Sequence, residues 1–279
     1  MTREPIPVTA IVSTKDEEIA ITRCLDGLQE FAQVVVVDSM SSDRTVELAK
    51  TAGAEVVSFD WNGRYPKKKQ WCLENLDISQ PWVLFVDADE RPDADLLSAM
   101  RSLASGSDSP RAYDLDIAYY FMGRRLKHGH KVVKRALLRP DSVRFPELGD
   151  ASEKSMGELE GHYQPTVQGS VGTLQGRIEH LDPDPYATWV TRHNKYSDWE
   201  AFLRTHPEQM DLVRGLRSRQ GQLFDRMPFK PAAFFIYCYV VRLGFLDGRA
   251  GYDYAVGLAW YYWLIGVKTR EATKQSPRQ

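Results

Sequence analysis

Cysteine is scarce in this sequence: Cys24, Cys72 and Cys238 are three among 279 residues, odd in number and far apart. That excludes a disulfide framework and a cysteine-based metal site, and it points to a reducing compartment. An excess of one charge is missing too, since 36 Lys and Arg meet 38 Asp and Glu for a formal net charge of −2. Such balance gives no reason to expect nucleic acid as a partner. No apolar run approaches the ~20 residues of a membrane-spanning helix. The apolar stretch near the N-terminus is also far too short for the core of a signal peptide. No G-x-G-x-x-G follows the first apolar run, which removes the nicotinamide dinucleotide fingerprint. What remains is ordinary globular usage, 43% hydrophobic and 27% charged, in a length that suits one large α/β domain or a domain with an extension. Aromatic residues total 11% and crowd into the last third.

Val8–Val12, Val34–Val37, Val56–Phe59 and Trp82–Val86 are β-rich runs of strand length. Ile21, Leu25 and Leu28, then Val46 and Ala49, recur between them at helical spacing. Continuous apolar strands alternating with helices predict a parallel sheet covered on both faces. Ligands bind such sheets at the carboxyl ends of the strands. The loops there are Ser13–Glu18, Asp38–Asp43, Asp60–Lys69 and Asp87–Glu90, all rich in polar residues. Ser41, Ser42 and Asp43 read as caps of the following helix. Short strands are expected near Tyr113–Phe121, Lys134–Leu138 and Gly176–Glu179, an irregular region over 140–176, and a long helix after Pro185.

The run WVLFVDADE is the most informative. If it stays extended, Asp87 and Asp89 share a face with their α-carbons roughly 6–7 Å apart. Two such carboxylates repel by about 2–3 kcal/mol at an effective dielectric near 20. A divalent cation would reverse that sign, and hard oxygen ligands favour Mg²⁺ or Mn²⁺. The bland alternative is an acidic turn ahead of a helix near Pro92, with Glu90 or Asp93 at its N-terminus. Asp38 offers an acceptor for a base N–H or a ribose hydroxyl, and Thr14, Asp16 and Glu17 offer further polar contacts. Lys67, Lys68 and Lys69 offer cations for a diphosphate, with at least one of the three simply solvated. His180 is a candidate third metal ligand or diphosphate contact, weighed against a purely structural role.

VTAIVSTKDEE, VVVVDSMSSDRT and WVLFVDADE, in this order and spacing, resemble the nucleotide-diphospho-sugar half of family 2 glycosyltransferases. The likeness covers residues 6–105, and RHNKYSDWEA and GFLDGRAGY resemble stretches in the bacterial branch containing lipopolysaccharide-core glycosyltransferases. The resemblance implies a GT-A fold: an α/β, Rossmann-like, mostly parallel sheet with helices on both faces, plus a helical, aromatic-rich C-terminal extension. On that basis residues 1–183 form the catalytic domain, with nucleotide-sugar binding in 1–105 and the acceptor and base region in 106–183. Residues 184–279 form the extension. The resemblance further implies an activated nucleotide sugar, a UDP-sugar by analogy, inversion at the anomeric carbon, and Mn²⁺ or Mg²⁺ bridging the diphosphate. Thr14, Glu17, Asp38, Lys68, Lys69, Asp87 and Ala88 are then expected at the donor, and Asp87, Asp89 and His180 at the metal. The chain departs from the commonest pattern at Ser39, where many members have a second Asp, and at Ser13 and Lys15, which replace proline and tyrosine.

Inverting transfer needs a base for the acceptor hydroxyl. Glu158, Glu160 and His162 form an E-x-E-x-H cluster, and Glu160 is the preferred base, with Glu158 and Asp150 behind it. Glu147 and Glu153 read as surface carboxylates. Relatives often carry His-Glu where this chain has His162-Tyr163. Two other readings stay open: a nucleotidyltransferase, which lacks its glycine-rich first loop here, and an inactive scaffold of the same fold.

Ala232–Leu246 and Ala255–Val267 predict a helix–turn–helix hairpin around GFLDGRAGYDY. Trp260, Tyr261, Tyr262 and Trp263 suit a membrane interface. Upstream, Arg204, Arg214, Arg217, Arg219, Arg226 and Lys230 outnumber Glu208, Asp211 and Asp225, which fits peripheral attachment to anionic lipid. Equally, the hairpin can bury its aromatics against the catalytic domain or in a homodimer. The expected partners are a nucleotide-sugar donor and a glycan or lipid-linked acceptor, with no nucleic acid. The expected location is the cytoplasm, with peripheral contact to the inner face of the cell membrane.

Overall fold

The computed structural model describes residues 4–103, 109–148, 157–158, 163–214, 224 and 227–275. The uninterrupted apolar runs become β1 (Ile6–Thr14), β2 (Phe31–Asp38), β3 (Glu55–Ser58) and β4 (Trp82–Asp87). These four pair in parallel in the order β3-β2-β1-β4. Helices α1 (Ile21–Asp26), α2 (Thr45–Thr51) and α3 (Lys68–Asn75) connect them. Alternate side chains of one strand feed opposite faces. Val8, Ala10 and Val12 join a cluster with Leu25 of α1 and Leu96, whereas Ile11 joins another with Val35, Phe85 and Cys72 of α3. The sheet is therefore covered on both faces, as the α/β pattern predicts.

Beyond β4 the sheet continues through β8 (Val132–Leu138), β6 (Ala112–Phe121), β11 (Val171–His180) and β5 (Glu90–Pro92). β8 is antiparallel to both β4 and β6, and β11 is parallel to β6. Two reversals restore the direction, so β11 runs the same way as β4 and ends on the same edge. β5, unforeseen in the sequence, lies antiparallel to β11. It takes the place of the helix start expected near Pro92. Helix α4 (Ala94–Arg101) begins later, capped by Asp93, whose side chain accepts from Leu96 N at 2.9 Å. A short β7 (Arg124–Arg125) folds back antiparallel on the end of β6, and β9 (Val143–Arg144) pairs with β10 (Thr166–Val167) inside the region expected to be irregular.

Gly176 lies in the register shift of β11 against β6, at φ +97°, where the strand crosses the first turn of α4. A Cβ there would stand 2.1 Å from Leu96 N and 2.5 Å from Leu96 Cα. Gly176→Ala is expected to cost about 3 kcal/mol, from backbone strain and overpacking together. Urea denaturation measures it, and a loss well under half of that would show that the bulge relaxes.

The C-terminal third is helical: α5 (Tyr186–Thr205), α6 (Pro207–Arg214), α7 (Lys230–Ile236) and α8 (Gly248–Gln275). A π-helical segment, Tyr237–Val241, and a 3-10 turn, Gly244–Asp247, join α7 to α8. The turn is shorter than GFLDGRAGYDY suggests, because α8 already starts at Gly248. Glycine here lets chains abut rather than break, as Gly251 does against the Gly244 carbonyl. Phe121 at the end of β6 packs with Trp189 of α5, Phe234 of α7 and Tyr254 of α8, which fastens the helical part to the sheet. Among the described residues no single helix is long and apolar enough to cross a membrane. Lys230–Val241 and Gly244–Lys274 reach that length and composition only as a pair bent by 71°.

Candidate active site

β1 and β2 end side by side, with Thr14 opposite Asp38. Thr14 Oγ1 donates to Asp38 Oδ1 at 2.9 Å, and Ser41 N donates to Asp38 Oδ2 at 2.8 Å. The loop after β1 is laced to the loop after β2. Asp16 Oδ1 accepts from Ser42 N at 2.7 Å, and Glu17 N donates to Thr45 Oγ1 at 2.7 Å. Of the three expected caps, Asp43 meets α2, accepting from Thr45 N at 2.9 Å. Ser41 and Ser42 brace the two loops instead.

The lysine run departs from expectation. Lys67 and Lys68 are both buried and Lys69 is half-buried, so none is simply solvated. Lys68 Nζ donates to Thr14 O at 3.0 Å and pairs with the Glu158 carboxylate at 3.3 Å. Its charge is matched within the protein rather than presented to a diphosphate. Glu158 also accepts from Ser39 Oγ. These contacts tie the second-choice base to the β2 end of the sheet. Lys69 acts electrostatically on Asp87 and so bears on the strand-end edge. Glu160, Asp150 and His162 lie outside the described residues.

Asp87 and Asp89 do not converge as an extended D-x-D would. β4 stops at Asp87, the chain turns at Ala88 and Asp89, and Glu90 opens β5. Ala88 is buried in the sheet core. Asp87 turns to Lys134 of β8, with Oδ2 2.8 Å from Nζ, and the same ammonium holds Glu90 Oε2 at 2.7 Å. Burial opposes ionisation of Asp87, yet Lys134 and then Lys69 hold its carboxyl well below the usual range. Burial and the Asp87 charge oppose ionisation of Glu90, but Lys134 and His180 lower its pKa as well. For Lys134 the two carboxylates outweigh burial and raise the ammonium pKa.

Asp89 instead meets the end of β11. His180 is in register with Glu90, and Leu181 N donates to Asp89 O at 2.8 Å. That ladder gathers Asp89, His180 and Asp182, whose ligand atoms all lie within 4.8 Å of one another. Tyr119 stacks on the His180 ring, with centroids 4.7 Å apart. Arg192 of α5 hydrogen-bonds Asp182 and lies 3.7 Å from Asp184. Burial, reinforced by Glu90 and Asp87 against the pull of His180, raises Asp89 to about 6. Burial and then Asp89 raise Glu17 to about 7. For His180 burial works downward, but the nearby Glu90 and Asp89 carboxylates raise it to about 9.

Carboxylates outnumber cations along this edge, which is the electrostatic condition for a bound cation. Two carboxylates and an imidazole, with no thiolate, fit Mn²⁺ or Mg²⁺. Of the residues expected at the metal, Asp89 and His180 fall in one group with Asp182, whereas Asp87 pairs with Lys134. Sequence reasoning missed Asp182, Lys134 and Glu90. For Asp182 there was a signal, the His-x-Asp spacing at the end of an apparent strand. For Lys134 there was none.

A doubly covered, mostly parallel sheet with laced loops and an acidic cluster on its carboxyl edge is the GT-A type of α/β architecture. The chain belongs to glycosyl transferase family 2, whose family model matches residues 9–153. It is 28% identical over 282 residues to a lipopolysaccharide core biosynthesis glycosyltransferase, LpsC, of Rhizobium meliloti, covering 98% of this chain and 96% of that one. An uncharacterized glycosyltransferase of Rickettsia conorii is 31% identical over 274 residues, covering 96% and 92%. Among solved structures, a mannosyltransferase of Pyrobaculum calidifontis in complex with GDP-Man and Mn²⁺ is 15% identical with a TM-score of 0.48, covering 95% and 89%.

Proposed function

We propose that this chain is a metal-dependent, inverting glycosyltransferase. It takes a hexosyl group from a nucleoside-diphosphate sugar, a UDP-sugar first, and passes it to a glycan or lipid-linked acceptor in lipopolysaccharide-type assembly. The observation that carries the reading is the Asp89–His180–Asp182 group on the carboxyl edge of a family 2 chain. Those three residues would hold Mn²⁺ or Mg²⁺, which when bound supplies charge neutralisation for a leaving diphosphate. Asp38, fixed by Thr14 and Ser41, steadies the loop assigned to the nucleoside, with Glu17 beside it. Lys69 adds positive charge near Asp87, and Lys134 fixes the orientation of Asp87 and Glu90. Arg192 ties Asp182 to α5, which holds the ligand in position. Glu160 is the base we assign for the acceptor hydroxyl. The likeness to the LpsC protein supports the lipopolysaccharide-type acceptor.

Incubation with a panel of UDP- and GDP-sugars plus Mn²⁺ is expected to give slow donor hydrolysis, lost in EDTA and restored by excess Mn²⁺. Hydrolysis indifferent to EDTA would remove the metal. No nucleotide release from any donor would sink the reading.

The acceptor's lipid side is assigned to the C-terminal hairpin. Phe229 is 85% exposed and Val241 64%, with Ile236, Val240, Phe245 and Leu246 also exposed. Successive helical residues point about 100° apart, so the run Trp260–Trp263 cannot present one face. Trp260 and Tyr262 pack inward, while Trp263 emerges. The apolar surface is therefore carried mainly by the segment from Phe229 to Leu246. The protein is expected to float with vesicles containing phosphatidylglycerol and to stay behind with phosphatidylcholine alone. A concentration-dependent dimer with no flotation would assign the surface to a second copy instead.

A further inference from the structure

A cavity of about 350 Å³ lies along β6, under the chain between β7 and β8. Tyr119 forms part of its wall, and the same ring stacks on His180. The cavity and the Asp89–His180–Asp182 group therefore adjoin at one residue, Tyr119. Arg125, Lys127, Lys131 and Arg177 line it, against Asp116 as the one carboxylate among its lining residues. Asp116 is in register with Arg177 across the paired strands, and it offsets one of these charges, not four. His128 also lines the cavity, but its ring is held by Asp247 at 3.1 Å. Fixed cations in a concave site focus a positive potential there. Guanidinium forks and ammonium groups are matched by phosphate or carboxylate oxygens.

The far side of the cavity is fastened to the hairpin. Gly129 N donates to Arg242 O at 2.9 Å, and His128 N donates to Asp247 Oδ2 at 2.8 Å. The cavity thus sits between the exposed apolar surface and the acidic cluster. An acceptor anchored at the hairpin would pass these cations on its way to the cluster.

We propose that the cavity is an anion subsite for the acceptor, taking a phosphate or carboxylate carried near the sugar that receives the transfer. The proposal rests on the transferase reading above, and it makes the acceptor an anionic saccharide rather than a neutral one. Calorimetric titration of the full chain with glucose 6-phosphate, glucuronate and glucose tests it. The two anionic sugars are expected to bind roughly tenfold tighter than glucose or better, given the strength of charge-assisted hydrogen bonds. The Lys127→Glu/Lys131→Glu variant is expected to lose that preference. Both side chains are exposed, and thermal melting checks that the variant is folded. Lys127→Gln/Lys131→Gln serves if charge reversal unfolds the chain. Equal binding of glucose and glucose 6-phosphate overturns the proposal, and so does a preference untouched by either variant. Flotation with phosphatidylglycerol vesicles separates the second source of anions. If charge reversal abolishes flotation while glucose 6-phosphate still binds, the lysines serve the bilayer and the subsite is refuted. Donor hydrolysis by the unsubstituted protein is read in parallel. Anion binding without any hydrolysis would overturn the acceptor role and the transferase reading together, whereas hydrolysis without anion preference overturns the subsite alone.

Discussion

Asp89→Asn is expected to cut metal-supported turnover by about 10²- to 10³-fold, the scale of losing one preorganised electrostatic contact to developing charge. Asp89 is nearly buried, its backbone is paired to Leu181, and its carboxylate faces His180 and Asp182. Burial and the neighbouring carboxylates oppose its charge, which is why its pKa is raised to about 6. Asparagine keeps the shape and removes that charge. The folded state without metal is therefore expected to be no less stable, and activity falls while melting temperature in EDTA holds or rises. Donor hydrolysis with Mn²⁺, together with thermal melting in EDTA, reads both halves. Turnover within threefold of the parent would remove Asp89 from the site, and a large drop in melting temperature would make it a structural residue.

Lys134→Met is the second large effect, and it falls on stability. One ammonium serves both Asp87 and Glu90, at 2.8 and 2.7 Å, and Glu90 is almost wholly buried. Removing one partner of a buried ion pair leaves the other charge uncompensated, at a cost of about 3–5 kcal/mol. The remedy should be specific. Adding Glu90→Gln to Lys134→Met removes the orphaned charge and is expected to recover a substantial part of the loss, a coupling of about 1–3 kcal/mol between touching residues. Urea denaturation of the two single variants and the double variant measures it. A single-variant loss below about 1 kcal/mol would contradict the shared-cation account.

These two predictions mark where reading along the chain succeeds and where it stops. The four apolar runs were legible as strands because burial on both faces of a parallel sheet demands uninterrupted Val, Ile and Leu. Asp38 and the acidic group after β4 were legible as candidates because polar residues at a strand's carboxyl end have few structural reasons to gather. The roles within that group were not legible. The extended D-x-D assumption fails because two residues of turn separate β4 from β5, and a turn redirects successive side chains. Lys134 was invisible because β8 reaches β4 from about fifty residues away. The lysine run misled in the other direction: Lys68 looks like a diphosphate ligand, yet it is neutralised by Glu158 across a fold contact. The aromatic tail was correctly seen as unusual, but four adjacent aromatics on a helix face four directions, and the exposed apolar surface came mainly from its neighbours.

Local periodicity, and the places where polar residues interrupt it, are enough to define the class of fold and to single out the acidic end of β4, where the proposed site lies. Tertiary contacts were needed to add Asp182 to Asp89 and His180 and to turn Asp87 to Lys134. Strand register between β5 and β11 is a long-range choice, and slipping it by one residue would turn every side chain to the other face.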